Sequence, residues 1–371
     1  MNVSSAASAS GRFERLAGYL QQDPDNVALL ADACDAALAC GRHDAAASFL
    51  SSADRLSLLA PQWQMRRAHF CIARRDLPQA RRLLEDLAAR TGQHPVLVHD
   101  LAYVHLLQGD LLRAHSLLAP WAEDDFDEPD MPQEAMQALW LRACHGLGRV
   151  DEAWDWARRA QAAGRLTPLA AGAASLVALD QDELPAAAEL ADLALAAEAT
   201  HPEALVTRGS LALAAGKAEE ATAWLESALR RNGQDGRTLS ALGFASLLMQ
   251  DFPAARKRLE RAVEAMPGHA QTWQALGWTR LLLQDIGGAL AAFRSALDVD
   301  GESAESHASL GLALILSGRR EEAEPFLRRA EELEPEEGYA GLARALMAGT
   351  LGEDSARDLL QGLLAQWRPR P

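Results

Sequence analysis

The side chains best suited to chemistry are ten histidines and four cysteines. His99 and His105, with Asp100 and Tyr103, offer two imidazoles, a carboxylate and a phenol, the parts of a metal site or of an acid–base pair. Their spacing argues against both. Six residues along a helix carry the second imidazole to a different face from the first. The cysteines are Cys34, Cys40, Cys71 and Cys144. None forms a CxxC pair, and no histidine cluster lies beside them at zinc-finger spacing, so they read as small buried side chains in a reducing cytoplasm. There is no GxSxG, no P-loop, no HExxH and no GxGxxG after a strand. No catalytic residue, no metal and no cofactor is expected. Function must then lie in a surface.

Composition says what kind of surface. The chain has 371 residues and a formal net charge of -16. That balance argues against nucleic acid as partner, because phosphate binding needs a positive face. Apolar residues make up 49%, which excludes disorder over most of the length. Roughly one residue in five is Ala, while Val and Ile together number only about 13, a helix-forming balance. The most apolar run, Pro168 to Leu179, is too short to span a bilayer. The start, Met1 to Gly11, has neither a basic nor an apolar region of the secretory kind. A cytoplasmic protein without membrane insertion is expected.

The elements that position any surface residue follow from a period of 34. Units begin at Val27, Pro61, Pro95, Glu134, Pro168, Pro202, Gly236, Ala270, Ala304 and Gly338, with five extra residues before Glu134. One column of this frame is Ala46, Ala80, Ala114, Ala153, Ala187, Ala221, Ala255, Ala289 and Ala323, broken by Arg357. A second is small: Cys34, Ala68, Ala102, Ser175, Gly209, Gly243, Gly277, Gly311 and Ala345, with Leu141 the exception. A third is bulky: Leu50, Leu84, Leu118, Leu225, Leu259, Phe293 and Leu327. Ala46, Leu50 and Ala53 stand at i, i+4 and i+7, one face of a helix. Small residues where helices cross let the axes approach. Gly41, Gly109, Gly148, Gly216, Gly318 and Gly352 share a column that suits a left-handed cap ending the first helix of each unit. Each unit is therefore two helices and two turns, too small to bury its own apolar face, so neighbours stack.

These columns resemble the tetratricopeptide repeat. Trp273, Leu276, Gly277, Ala289, Phe293 and Ala296 reproduce the W…LG…A…F…A signature in order. His307, Leu310, Gly311, Ala323, Leu327, Ala330 and Pro335 follow it with only the Trp replaced, whereas Gln64 and Arg67 depart from it. The resemblance implies an all-α fold, a right-handed α-solenoid of about ten stacked helix-turn-helix units. Residues 1–26 are expected to form a capping helix through Phe13, Leu16 and Tyr19, with units one to three at 27–128 and units four to nine at 134–337. Residues 338–371 are expected to form a capping unit, with polar Arg357 and Gln361 in its packing columns. An acidic insertion at 129–133 closes the run Glu123 to Asp130 and reads as a solvated loop, a hinge or a contact for a basic segment. The arginines of the second unit, Arg66, Arg67, Arg74, Arg75, Arg81, Arg82 and Arg90, form a basic island that reads as a solvated face or a dock for acid.

The resemblance also implies a concave groove, lined by the first helices, that holds a partner peptide or helix. Carried onto this chain, its most exposed column includes Asp35, His69, Tyr103, Arg142, Leu176, Ser210, Phe244, Trp278 and Leu312. Met65, His99, Ser240 and Gln274 flank that column, as do Arg237 and Gln271. Tyr103, Arg142, Phe244 and Trp278 are the expected anchors, since aromatics and arginine dominate interfaces; packing between repeats is their alternative role. The groove columns hold neither Lys217 nor Lys257, and no Asn, so gripping a chaperone tail by its carboxylate is not expected. The expected function is a non-catalytic scaffold for a protein or peptide ligand. A dedicated chaperone or assembly factor for a bacterial secretion or pilus client is the alternative, and oligomeric state is left open.

Overall fold

The computed structural model describes residues 3–123 and 131–334, with 341, 343, 344 and 348. Every regular element among them is a helix. The chain opens with α1 (Val3–Gln22). The first helices of the units are α2 (Val27–Ala39), α4 (Pro61–Ala73), α6 (Pro95–Leu107), α8 (Gln133–Gly146), α10 (Pro168–Asp180), α12 (Pro202–Ala214), α14 (Gly236–Leu248), α16 (Ala270–Leu282) and α18 (Ala304–Leu316). The second helices are α3 (His43–Arg55), α5 (Leu77–Thr91), α7 (Leu111–Glu123), α9 (Val150–Ala162), α11 (Leu184–Ala197), α13 (Ala218–Leu229), α15 (Phe252–Ala265), α17 (Ile286–Val299) and α19 (Arg320–Leu333). The fold is an all-α repeat solenoid. It divides into two compact units, residues 1–170 and 171–371. The acidic run and the columns of the last unit, Gly352, Arg357 and Gln361 included, lie outside the described residues.

Local chemistry sets the helix ends. Asn26, Asp235 and Ser303 cap first helices, each side chain accepting a hydrogen bond from a backbone N–H of the first turn. Asp76, Asp251 and Asp285 do the same for second helices. The turn between the two helices of a unit passes through the left-handed region at Gly41, Gly109, Gly148, Gly216 and Gly318, as the column predicts. It does so equally at Arg75, Asp182, Gln250 and Gln284, where the unit has no glycine. The geometry of the stack therefore overrides residue preference at those four turns.

Packing follows the columns. All nine alanines from Ala46 to Ala323 have 0% exposure. From α12 onward, glycine and bulk interlock within each helix pair. A Cβ on Gly209 would stand 2.5 Å from Leu225, on Gly243 2.5 Å from Leu259, and on Gly311 2.5 Å from Leu327. Leu141, the exception in the small column, is fully buried, and Ala157 stands where the preceding unit has Leu118. Bulk has moved from the second helix to the first, and α8 and α9 approach each other less closely than α14 and α15 do.

Two departures from the repeat signature are compensated. Trp273 Nε1 donates to the Pro267 carbonyl at 2.8 Å, tying α16 to the turn before it. In the next unit His307 Nε2 lies 3.1 Å from the Gly301 carbonyl, at the same offset, so the imidazole takes over the indole's bond. In the second unit Trp63, one position before Gln64, enters the core. At the N-terminal end Leu16 and Leu20 pack there, while Tyr19, expected in the cap's packing face, is 58% exposed. Tyr19 misses because the helix presents its neighbour Leu20 inward.

Candidate functional site

The first helices of residues 171–371 border a half-open cavity of about 320 Å³. Leu179 and Asp180 come from α10, Ser210, Leu213 and Ala214 from α12. Arg237, Ser240, Ala241 and Phe244 come from α14, Met266 and His269 from the turn between α15 and α16, and Gln271 from α16. Leu213, Ala241, Phe244 and Met266 make an apolar floor. The polar groups converge at the rim. Arg237 forks onto Asp180, with Nη1 3.3 Å from Oδ2 and Nη2 on Oδ1, and so links α14 to α10 past the intervening unit. Burial, and then the Arg237 guanidinium, hold the His269 imidazole below its ordinary pKa. Its Nδ1 lies 2.6 Å from Thr272 Oγ1. The cavity is thus apolar at depth, balanced in charge at the rim, and near the lower end of the roughly 300–1,000 Å³ range of ligand pockets.

Arg237, Phe244 and Gln271 are brought together here. Trp278 is not. It is 1% exposed, packed edge-on against Phe293 at 5.1 Å between centroids and surrounded by Leu310, Leu312 and Ile315. Its expected place in the exposed column of the groove is overturned. The apolar residues of the next unit close over its ring, and Leu312 in the same column is itself fully buried. Phe244, 6% exposed, is likewise a buried floor and not part of an exposed column. Gln274 is buried too, its amide donating to Ser306 Oγ at 2.9 Å, so it joins repeats instead of facing a groove.

Residues 1–170 gather a different set. His69 Nε2 lies 2.6 Å from Asp100 Oδ2, and His99 Nδ1 lies 2.9 Å from Asp100 Oδ1. Tyr103, 36% exposed, stacks on His99 at 6.3 Å. Arg66 grips Asp35 with two bonds of 2.8 and 2.7 Å, and Arg67 holds Asp54. Part of the basic island is therefore spent on carboxylates of neighbouring helices. Burial acts to raise the Asp100 pKa, but the bonds from His69 and His99 outweigh it and hold the carboxyl below its ordinary value. The same bond to Asp100 raises His69. Met65 packs partly buried against the core of this region, and Arg142 is half-buried on α8.

Sequence reasoning missed Asp100 as the hub of two histidines, and it missed Asp180 and Met266. It also kept His115, Cys144 and Glu152 apart. Their ligand atoms all lie within 4.8 Å of one another, on α7, α8 and α9. Burial, and then the Glu152 charge, push the Cys144 thiol up to about 12.

Residues 304–337 match the sequence profile of the tetratricopeptide repeat. Among solved structures, the crystal structure of the APC/C hetero-tetramer Cut9–Hcn1 is similar at 15% identity with a TM-score of 0.60, over 83% of this chain and 58% of that one. MamA is similar at 21% identity and TM-score 0.38, over 42% of this chain and 91% of its own. PilF of Pseudomonas aeruginosa is similar at 17% identity and TM-score 0.48, over 57% and 96%. This chain therefore spans little more than half of the Cut9–Hcn1 chain it resembles. No curated protein matches the sequence. The likeness to Cut9–Hcn1 shows the helical-repeat solenoid. No helix among the described residues is long and apolar enough to cross a membrane.

Proposed function

We propose that this tetratricopeptide-repeat protein is a non-catalytic interaction module. It seats one bulky apolar side chain of a partner segment in the cavity floored by Phe244. The observation that carries this reading is the cavity itself. It lies on the face built by first helices, it is apolar at depth, and its rim offers Gln271 and Ser210 to a partner backbone. Its apolar lining suits one large side chain of a partner. Four free thiols support residence in the cytoplasm.

The test should fill the cavity and leave the floor in place, because removing a buried Phe costs about 3–5 kcal/mol of stability. Ser210 lines the cavity and is half-buried. Peptides selected from a random library on the wild-type protein should share a large apolar anchor. Ser210→Trp should weaken them at least about tenfold, the size of a modest hot spot, with the urea midpoint unchanged. Equal affinity of the Trp variant and wild type for such peptides would place binding elsewhere.

A further inference from the structure

On α7, α8 and α9 lies a second constellation. His115 and Cys144 are buried, at 7% and 0% exposure, and Glu152 reaches them from the solvent side with its side chain 43% exposed. The His115 ring is fixed against Trp140, 4.5 Å between centroids and tilted by 32°. Its Nε2 lies 3.3 Å from Glu152 Oε1. The same nitrogen lies 3.2 Å from Arg149 Nη1, which is also 3.5 Å from Glu152 Oε2.

One ring nitrogen cannot serve both neighbours. If Nε2 carries a proton, it donates to Glu152 and opposes the N–H of Arg149. If it carries a lone pair, it accepts from Arg149 and opposes the carboxylate oxygen. In the second arrangement Arg149 donates to both, a cation bridging an imidazole lone pair and a carboxylate with a thiol alongside. The guanidinium is the charge this pocket is shaped to hold, supplied from within the chain.

From this we infer a binding site for a divalent transition cation of the zinc class, with His115 Nε2, Cys144 Sγ and Glu152 as ligands and Arg149 as the resident competitor. One imidazole, one thiolate and one carboxylate are a borderline-soft set that suits such an ion better than calcium or magnesium, which prefer oxygen alone. Three protein ligands leave a fourth position to water on the side where Glu152 and Arg149 meet solvent. That side is also the route in, since the side chains of Arg149 and Glu152 are 44% and 43% exposed there. As the metal–sulfur bond forms, the thiol proton leaves to solvent and the guanidinium turns outward.

Cobalt(II) alone is the probe, added to the metal-free full-length protein. Saturation at one equivalent with a thiolate-to-cobalt charge-transfer absorption supports the site, and displacement of that absorption by zinc supports it further. The band should vanish in Cys144→Ser and survive in Cys71→Ser. Glu152→Gln, on the exposed side where folding is not at risk, should bind at least about tenfold more weakly, as loss of a metal-site group does. Arg149→Gln should bind more tightly than wild type by a similar factor, because the competing charge is gone. A folded wild-type protein without the band overturns the inference, as does a band that persists in Cys144→Ser. Weaker or equal binding by Arg149→Gln overturns the competitor role.

Discussion

Gly277 on α16 and Phe293 on α17 meet so closely that a Cβ on the glycine would stand 2.4 Å from the ring. The Phe293 side chain is fully buried and has no room to retreat. Gly277→Ala should therefore destabilise by about 1–3 kcal/mol through overpacking. Phe293→Ala alone should cost about 3–5 kcal/mol. Combined, the two should cost less than their sum, with a coupling of at least about 0.5 kcal/mol, because removing the ring removes the clash. Urea titration followed by tryptophan fluorescence measures all three, with Trp278 as a reporter beside Phe293. Strict additivity would show that the two positions do not touch.

Ala255 belongs to the column with no exposure in any described unit, and it lies in the same core as Leu242 and Leu259. Ala255→Leu adds three carbons where two helix axes cross. A loss of about 1–3 kcal/mol is expected, while Ala254→Leu, one position along the helix, should change stability by less than about 0.5 kcal/mol. Ala254 is the half-exposed first-turn residue whose N–H bonds Asp251, and that bond does not involve the side chain. Similar losses for the two variants would reject the column as the crossing point.

Gln250 and Gln284 hold φ of 58° and 64° at turns where the corresponding residues Gly216 and Gly318 hold 72° and 81°. A left-handed backbone costs a residue with a Cβ about 1 kcal/mol. Gln284→Gly should therefore stabilise the protein by up to about 1 kcal/mol, and Gly216→Ala should destabilise it by a similar amount. Calorimetric midpoints moving in the same direction for both would contradict the backbone argument.

The all-α repeat class was legible because packing between helices demands small residues at a fixed spacing, and that demand writes a column of alanines into the chain. The surface was less legible. Phe244 and Trp278 occupy the same column, yet one floors a cavity and the other is sealed under the next unit. What decides between them is the bulk of residues a unit away, Leu310 and Leu312, and no single unit's signature carries that information. His307 could have been read as a replacement for Trp, because only an N–H at that offset reaches the preceding turn. The His115, Cys144 and Glu152 cluster could not have been read at all. Its members come from three helices, and no local motif spaces them.

The bond between His69 and Asp100 makes a pH-dependent contribution to the stability of the first region. His69 has its pKa raised above the ordinary 6.5, chiefly by Asp100 against the burial that would lower it, with Asp35 acting to raise it and Arg66 to lower it. Asp100 is held below its ordinary 3.8 by His69 and His99, against the burial that would raise it. A raised histidine contributes stability in full below 6.5 and loses it as pH climbs through the raised value. A depressed carboxyl contributes in full above 3.8 and loses it as pH falls through the lowered value. The bridge is therefore at full strength between 3.8 and 6.5 and weakens on either side. Asp100→Asn keeps the shape and removes the charge. Its deficit against wild type should be greatest inside that window and should shrink as pH rises above it. Ring-proton NMR should find wild-type His69 titrating above 6.5 and the Asn variant lower. A His69 that titrates at the same pH in both proteins would mean that Asp100 holds the ring in place without holding its proton.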